Sequence, residues 1–190
     1  ERMADAVRQM LENAGMTLEQ CGGIGIGSPG TIDAKQGVIL YSNNFGWENV
    51  PIVEELKKHL DTRIEIANDA DAAALGEVCA GAAEGAENAV LLTLGTGVGS
   101  GVILDKKIFR GAMPGGCELG HLSIRYDGIR CTCGRKGCLE AYASASALLR
   151  IAREKAAEHP ESIMNEMCGN DLEQMNGKIP FDAAKAGDEA

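Results

Sequence analysis

Ala89-Val90-Leu91-Leu92-Thr93-Leu94-Gly95-Thr96-Gly97-Val98-Gly99-Ser100-Gly101-Val102-Ile103-Leu104 is the stretch that decides the architecture. A strand-length apolar run meets Gly95-Thr96-Gly97, then a second run goes from Val98 to Leu104 and ends at Asp105-Lys106-Lys107. Two strands joined by so short a glycine turn form a hairpin, whereas a Rossmann unit needs a helix between its strands. Glycines carry no Cβ, so the loop backbone can approach phosphate oxygens, and Thr96 adds a hydroxyl donor. The same glycines serve equally well in a plain tight turn. A Walker loop is excluded, because the Gly-Lys-Ser/Thr ending is absent.

Upstream, the chain alternates strands with helices. An amphipathic first helix carries Met3, Val7, Met10 and Leu11 on one side. Gly22 to Gly27 predicts a buried strand turning at Ser28-Pro29-Gly30, and Val38 to Tyr41 a second strand closing at Ser42-Asn43-Asn44. Asn49 and Pro51 open a helix with Ile52, Val53, Leu56 and Leu60 inward, and Trp47 is expected to plug the core. Arg63 to Ala67 alternates as a strand and runs into Asn68-Asp69-Ala70-Asp71, from which an alanine-rich helix continues to about Cys79. Side chains where a strand meets a helix project into a cleft, so Asp69 is placed to act as a base toward a substrate hydroxyl, with Asn68 beside it. The competing reading is a helix cap, a role Asp and Asn fill often, and Asp71 is the carboxylate expected to cap. A glycine- and alanine-rich hinge near Gly81 to Asn88 divides the chain into α/β units at residues 1–84 and 85–190.

Downstream lies the cysteine segment. Glu118-Leu119-Gly120-His121 is followed by a basic loop and Cys131-Thr132-Cys133-Gly134-Arg135-Lys136-Gly137-Cys138-Leu139-Glu140. His121, Cys131, Cys133 and Cys138 supply four nitrogen and sulfur ligands, the set that closes a structural zinc site. Glu118 and Glu140 frame that set without being needed as ligands. Cys117 is expected to be a packed small residue, and Cys21, Cys79 and Cys168 core or surface thiols. A long helix from Leu139 to Glu158 stops at His159-Pro160, and a last helix runs from Phe181 to Ala190.

Composition narrows the function classes. The 190 residues are 45% hydrophobic, enough for a substantial core, and 25 glycines with only 4% aromatics favour α/β over an all-β sandwich. The net charge of -10 argues against a nucleic-acid partner. No apolar run would span a bilayer, no signal peptide opens the chain, and seven cysteines without a paired framework suit reduced thiols in the cytoplasm. The chain begins within one helix and stops within another, as a segment of a longer protein would.

These blocks, in their order, resemble the ROK family of repressors, open reading frames and sugar kinases, and most closely its glucokinase-type members. The resemblance rests on Gly27-Ser28-Pro29-Gly30, Asn44-Phe45-Gly46-Trp47, Asn68 to Glu77, Leu94 to Gly99, Glu118 to His121 and Cys131 to Glu140. It implies a two-lobed, actin-like ATPase (ribonuclease H-like) α/β fold, here incomplete, with a zinc-stabilised loop and the sugar in the interlobe cleft. It further implies an ATP-dependent hexokinase in which Asp69 is the general base, with magnesium accompanying ATP. By the same likeness Ser28, Asn44, Asn68, Glu118, His121 and Glu140 contact the sugar, while Gly95, Thr96 and Gly97 contact ATP phosphates. Glucose is the first expected substrate, and a dimer or tetramer the expected assembly. The family's first phosphate loop would precede Glu1, so residues 1–190 alone are expected not to turn over ATP. Asp71 stands where relatives frequently carry Asn. The alternative reading is a sugar-responsive repressor whose DNA-binding domain lies upstream of Glu1.

Overall fold

A computed structural model describes every residue except Pro114 and Gly116. In chain order the elements are α1 (Arg2–Ala14), β1 (Ile24–Ser28), β2 (Thr31–Asp33), β3 (Val38–Ser42), β4 (Trp47–Val50), α2 (Ile52–Lys57), β5 (Ile64–Asn68) and α3 (Asp69–Ala80). They continue with β6 (Ala89–Leu94), β7 (Val98–Leu104), β8 (Lys107–Ile108), α4 (Glu140–Ala143), α5 (Ala145–Glu158), α6 (Ile163–Met167) and α7 (Ile179–Lys185). Two compact units result: Glu1–Leu91 with Ser100–Cys117, and Leu92–Gly99 with Glu118–Ala190.

In the first unit β1 and β5 pair in parallel, in register from Ile24 opposite Ile64 to Ser28 opposite Asn68. That register brings the Ser28 turn and the entry to α3 to one end of the sheet. β2, β3 and β4 form an antiparallel meander beside this pair in sequence. Ile32, Ile39, Ile52, Leu56, Leu60, Ile64 and Ile66 bury together with Ala4. Strands rich in β-branched residues suit this core, because stiff side chains pack well on a pleated surface. A second cluster joins Ala74 and Val78 of α3 to Ile103 of β7. β6, β7 and β8 form a three-stranded sheet in that order.

In the second unit α5, α6 and α7 pack around Ala152, Ala156, Met164, Met175, Ile179 and Ala183. Between Glu118 and Leu139 regular structure is confined to a single 3-10 turn, Leu119–His121, and two isolated bridges, Ser123 with Cys138 and Arg130 with Lys136.

Several expectations change. The helix expected from Leu139 breaks at Ser144, whose extended backbone (ψ 162°) ends α4 and whose hydroxyl caps α5 by accepting from the Ala147 N–H. A serine inside an apparently continuous helical pattern competes for the backbone in this way. α1 buries only Ala4, with Val7 and Leu11 half-buried, while Met3 and Met10 lie off that stripe and are exposed. Asn49 belongs to β4 with φ 51°, so α2 begins at Ile52 with Pro51 at its N-cap, and Asn49 lies outside it. Trp47 is half-buried on the edge of the isoleucine core, its ring 4.9 Å from that of Phe45 and tilted 39° to it, so it covers the core without plugging it. The last helix runs Ile179–Lys185, not Phe181 to Ala190. Among the described residues no helix is long and apolar enough to cross a membrane.

Candidate functional site

Asp69 is the first residue of α3, directly after the end of β5. Asn68 is the cap: its Oδ1 accepts from the N–H groups of Ala70 (2.9 Å) and Asp71 (3.2 Å). Its Nδ2 donates to the Gly30 carbonyl at 3.1 Å, tying the Pro29-Gly30 turn to the start of α3. Gly30 sits at φ 107°, and a Cβ there would overlap the Tyr41 carbonyl. Ser28 is buried at the end of β1, its hydroxyl 3.3 Å from the Pro29 carbonyl. Asp69 Oδ1 shares the Ala70 N–H at 2.9 Å, and that bond does not involve Oδ2. The exposed carboxylate is therefore oriented by its own helix start. A carboxylate at a helix N-terminus is also favoured by the helix dipole.

The expectation that Asp71 caps the helix fails. It is buried within the first turn of α3, and its Oδ2 accepts from Arg110 Nε at 2.8 Å. Asn44 lies in the exposed turn between β3 and β4, and no described hydrogen bond links it to Ser28, Asn68 or Asp69.

In the second unit the glycine turn is braced from the start of α4 and α5. Glu140 Oε2 accepts from the Val98 N–H at 2.9 Å, and a Cβ on Gly97 would overlap the same oxygen. The Ala145 N–H donates to the Gly95 carbonyl (2.8 Å), and Ser146 Oγ to the Thr96 carbonyl (2.9 Å). These contacts use the carbonyls of Gly95 and Thr96 and the N–H of Val98. The amides of Thr96 and Gly97 are not among the groups so used.

The ligand set assembles beside this loop. His121, Cys131, Cys133 and Cys138 place their ligand atoms within 4.8 Å of one another. Cys131 Sγ lies 3.6 Å from His121 Nδ1, and Cys133 Sγ 3.7 Å from Cys138 Sγ. A tetrahedral zinc with Zn–S of about 2.3 Å and Zn–N of about 2.0 Å requires edges of about 3.5 Å and 3.8 Å. The donor set and its spacing fit that ion. The Arg135 backbone N–H, aided by the Arg135 side chain and the neighbouring thiols, holds the Cys133 thiol down to about 6. Burial, then the same thiols, pushes Cys138 up to about 11. Glu140 Oε1 stands 3.4 Å from Thr132 Oγ1 and 3.8 Å from Cys131 Sγ, so one carboxylate touches both the glycine turn and the cysteine loop. Glu118 opens the 3-10 turn that ends at His121 and is exposed.

Comparison with known proteins adds the lineage. The ROK family model matches residues 1–189. This chain belongs to the ROK family. Among ROK relatives, a glucokinase of Thermotoga maritima is 42% identical over 188 residues, 98% of this chain and 57% of that protein. The structure of a ROK glucokinase from Streptomyces griseus, in complex with glucose and AMPPNP, superposes with a TM-score of 0.79 at 33% identity, covering 98% of this chain and 60% of that one. A xylose repressor of Caldicellulosiruptor bescii is 37% identical over 150 residues, 79% of this chain and 38% of the repressor. The chain thus spans little more than half the length of the glucokinases it matches. Its α/β fold is that of the ROK glucokinases, of the actin-like ATPase class.

The sequence did not reveal three contacts: Glu140 to Val98, Ser146 to Thr96 and Arg110 to Asp71. Each joins residues at least 39 apart, beyond what any local spacing can signal.

Proposed function

We propose that this chain carries the sugar-side machinery of an ATP-dependent hexose kinase acting on a primary hydroxyl, with glucose the first substrate. The observation that carries the reading is the solvent-accessible Asp69 at the β5–α3 junction, held by a capped helix start in a chain 42% identical to a glucokinase across nearly its whole length. Asp69 accepts the hydroxyl proton as the hydroxyl oxygen forms its bond to the γ-phosphorus of ATP and the bond to the ADP oxygen breaks. Asn68 and Ser28 hold neighbouring hydroxyls, and Asn44 reaches the sugar from its exposed turn. Glu118, His121 and Glu140 supply acceptors and donors for the remaining hydroxyls. A neutral polyol is discriminated by such groups, because each hydroxyl left without a partner in a dry site weakens binding. Gly95, Thr96 and Gly97 contact the phosphates of ATP, which enters with magnesium as co-substrate.

His121, Cys131, Cys133 and Cys138 hold a zinc ion. When bound it supplies rigidity to the segment bearing the sugar-gripping side chains, with no position open for a substrate.

The test is ADP release by the full-length protein with magnesium and ATP across hexoses and N-acetylhexosamines. Turnover on glucose supports the reading, and turnover on another sugar alone moves the substrate. A second reading, a sugar-responsive repressor, is favoured by the likeness to the xylose repressor. Silence across the panel, with sugar binding intact and sugar-dependent release from operator DNA, would establish that reading instead.

A further inference from the structure

The pair Asp71–Arg110 is unlike the other ion pairs of this chain. In those at Asp5, Glu55, Glu65, Asp127, Glu154 and Glu158 the carboxylate is more than half exposed. The Asp71 side chain is 9% exposed, and Arg110 reaches it across 39 residues with Nε 2.8 Å from Oδ2. Surface pairs contribute little, whereas a buried carboxylate that loses its partner is left uncompensated. A buried, directional pair therefore constrains geometry.

What it constrains is the first turn of α3. The buried face of that helix is Ala70, Asp71, Ala74 and Val78, so small side chains dominate its packing. β7 approaches it closely, since a Cβ on Gly101 would overlap the Ala70 carbonyl and the Ala74 methyl. Methyl groups against a glycine backbone form a smooth contact that permits close approach but interlocks little. Nothing in that contact strongly resists a roll of the helix about its axis. Arg110 supplies the missing lock, two residues past Asp69. Its own segment is anchored where it leaves the sheet, the Phe109 N–H donating to the Val102 carbonyl at 2.8 Å.

We propose that Asp71 and Arg110 are positioning residues that fix the roll of α3 and thereby aim the Asp69 carboxylate at the reacting hydroxyl. This rests on the reading of Asp69 as the base. Neither residue touches substrate in this account. Displacing a reacting group by about 1 Å costs on the order of a hundredfold in rate, so small rolls of the helix matter.

The experiment uses the full-length protein, with kcat, glucose KM, glucose affinity by calorimetry and thermal midpoint measured on each variant. Asp71→Ala and Arg110→Ala should each lower kcat about tenfold to a hundredfold, with glucose affinity changed less than about threefold. The double variant should lose no more than the worse single one, because the two act as one unit. Asp71→Asn keeps an acceptor oxygen for Arg110 and should lose less than Asp71→Ala, and it remains informative should the alanine variants fail to fold. Multiplying losses in the double variant, or a lowered thermal midpoint with kcat intact, would overturn the proposal. Asp69→Ala separates the two claims. If it retains turnover, the base assignment fails; if it is dead while Arg110→Ala is fully active, only the positioning role fails.

Discussion

The two units hold their candidate site residues by different means. Around Asp69 the work is done by a hydrophobic core and a capped helix: eight buried aliphatic residues underlie β1, β5 and α2, and Asn68 fixes both the helix start and the Gly30 turn. Around His121 there is no such core. Cys131 and Cys138 are buried, but Leu122, Ile124 and Tyr126 are exposed, and the segment is joined by a few backbone bonds such as Ile124 N–H to Gly137 O and Cys131 N–H to Arg135 O. A loop with so little buried apolar surface cannot offset its ordering entropy alone. The difference gives shape on one side to side-chain packing and, on the proposed reading, on the other to the four candidate ligands His121, Cys131, Cys133 and Cys138.

The largest effect should come from breaking the metal side. Cys131→Ser, or exhaustive chelation, should abolish zinc binding and reduce turnover of the full-length protein below detection, because the ligand set rather than a core orders residues 118–140. Far-UV circular dichroism should change only slightly, since the helices and strands of both units lie outside that loop. A global loss of helix signal on chelation would erase the contrast. The mirror variant is Ile39→Ala, at a side chain 1% exposed. It should destabilise the protein by about 2–5 kcal/mol while zinc stoichiometry stays at one per chain.

Proton competition sharpens the same comparison. Cys138, pushed up to about 11, must release a proton to bind metal throughout the neutral range, so zinc affinity should fall as pH falls. Cys133, held down to about 6, is already a thiolate at neutral pH, so its protonation adds to the loss only as pH drops through about 6. Titration with a chromophoric chelator at several pH values checks the steepening. The smallest expected effect is at Ser42, whose fully buried hydroxyl has no hydrogen-bond partner among the described residues. Ser42→Ala removes an uncompensated polar group and should stabilise the protein by about 1 kcal/mol, read as the urea midpoint.

How much of this was legible follows from how local each signal is. The cluster of His121, Cys131, Cys133 and Cys138 was readable because residue type and spacing sit within one loop, and the Asn68-Asp69 junction because a strand pattern runs straight into an alanine-rich helix. β4 was not, since Trp47-Glu48-Asn49-Val50 lacks apolar alternation and includes a positive φ at Asn49. β8 follows a turn whose Asp105 and Lys106 adopt φ 50° and 62°, and two residues carry no periodicity. Asp71 reads locally as a cap because its partner is 39 residues away, and Glu140 gives no hint of Val98, 42 residues earlier. Local chemistry was visible, whereas tertiary partners needed the fold.

The central claim is that Asp69 takes the proton from a sugar held by other groups. The direct measurement is glucose binding by calorimetry alongside ADP release for Asp69→Asn in the full-length protein. Glucose affinity within about tenfold of the parent, with turnover lowered about a hundredfold to ten-thousandfold, is the predicted result. Undiminished ADP release from that variant would contradict it.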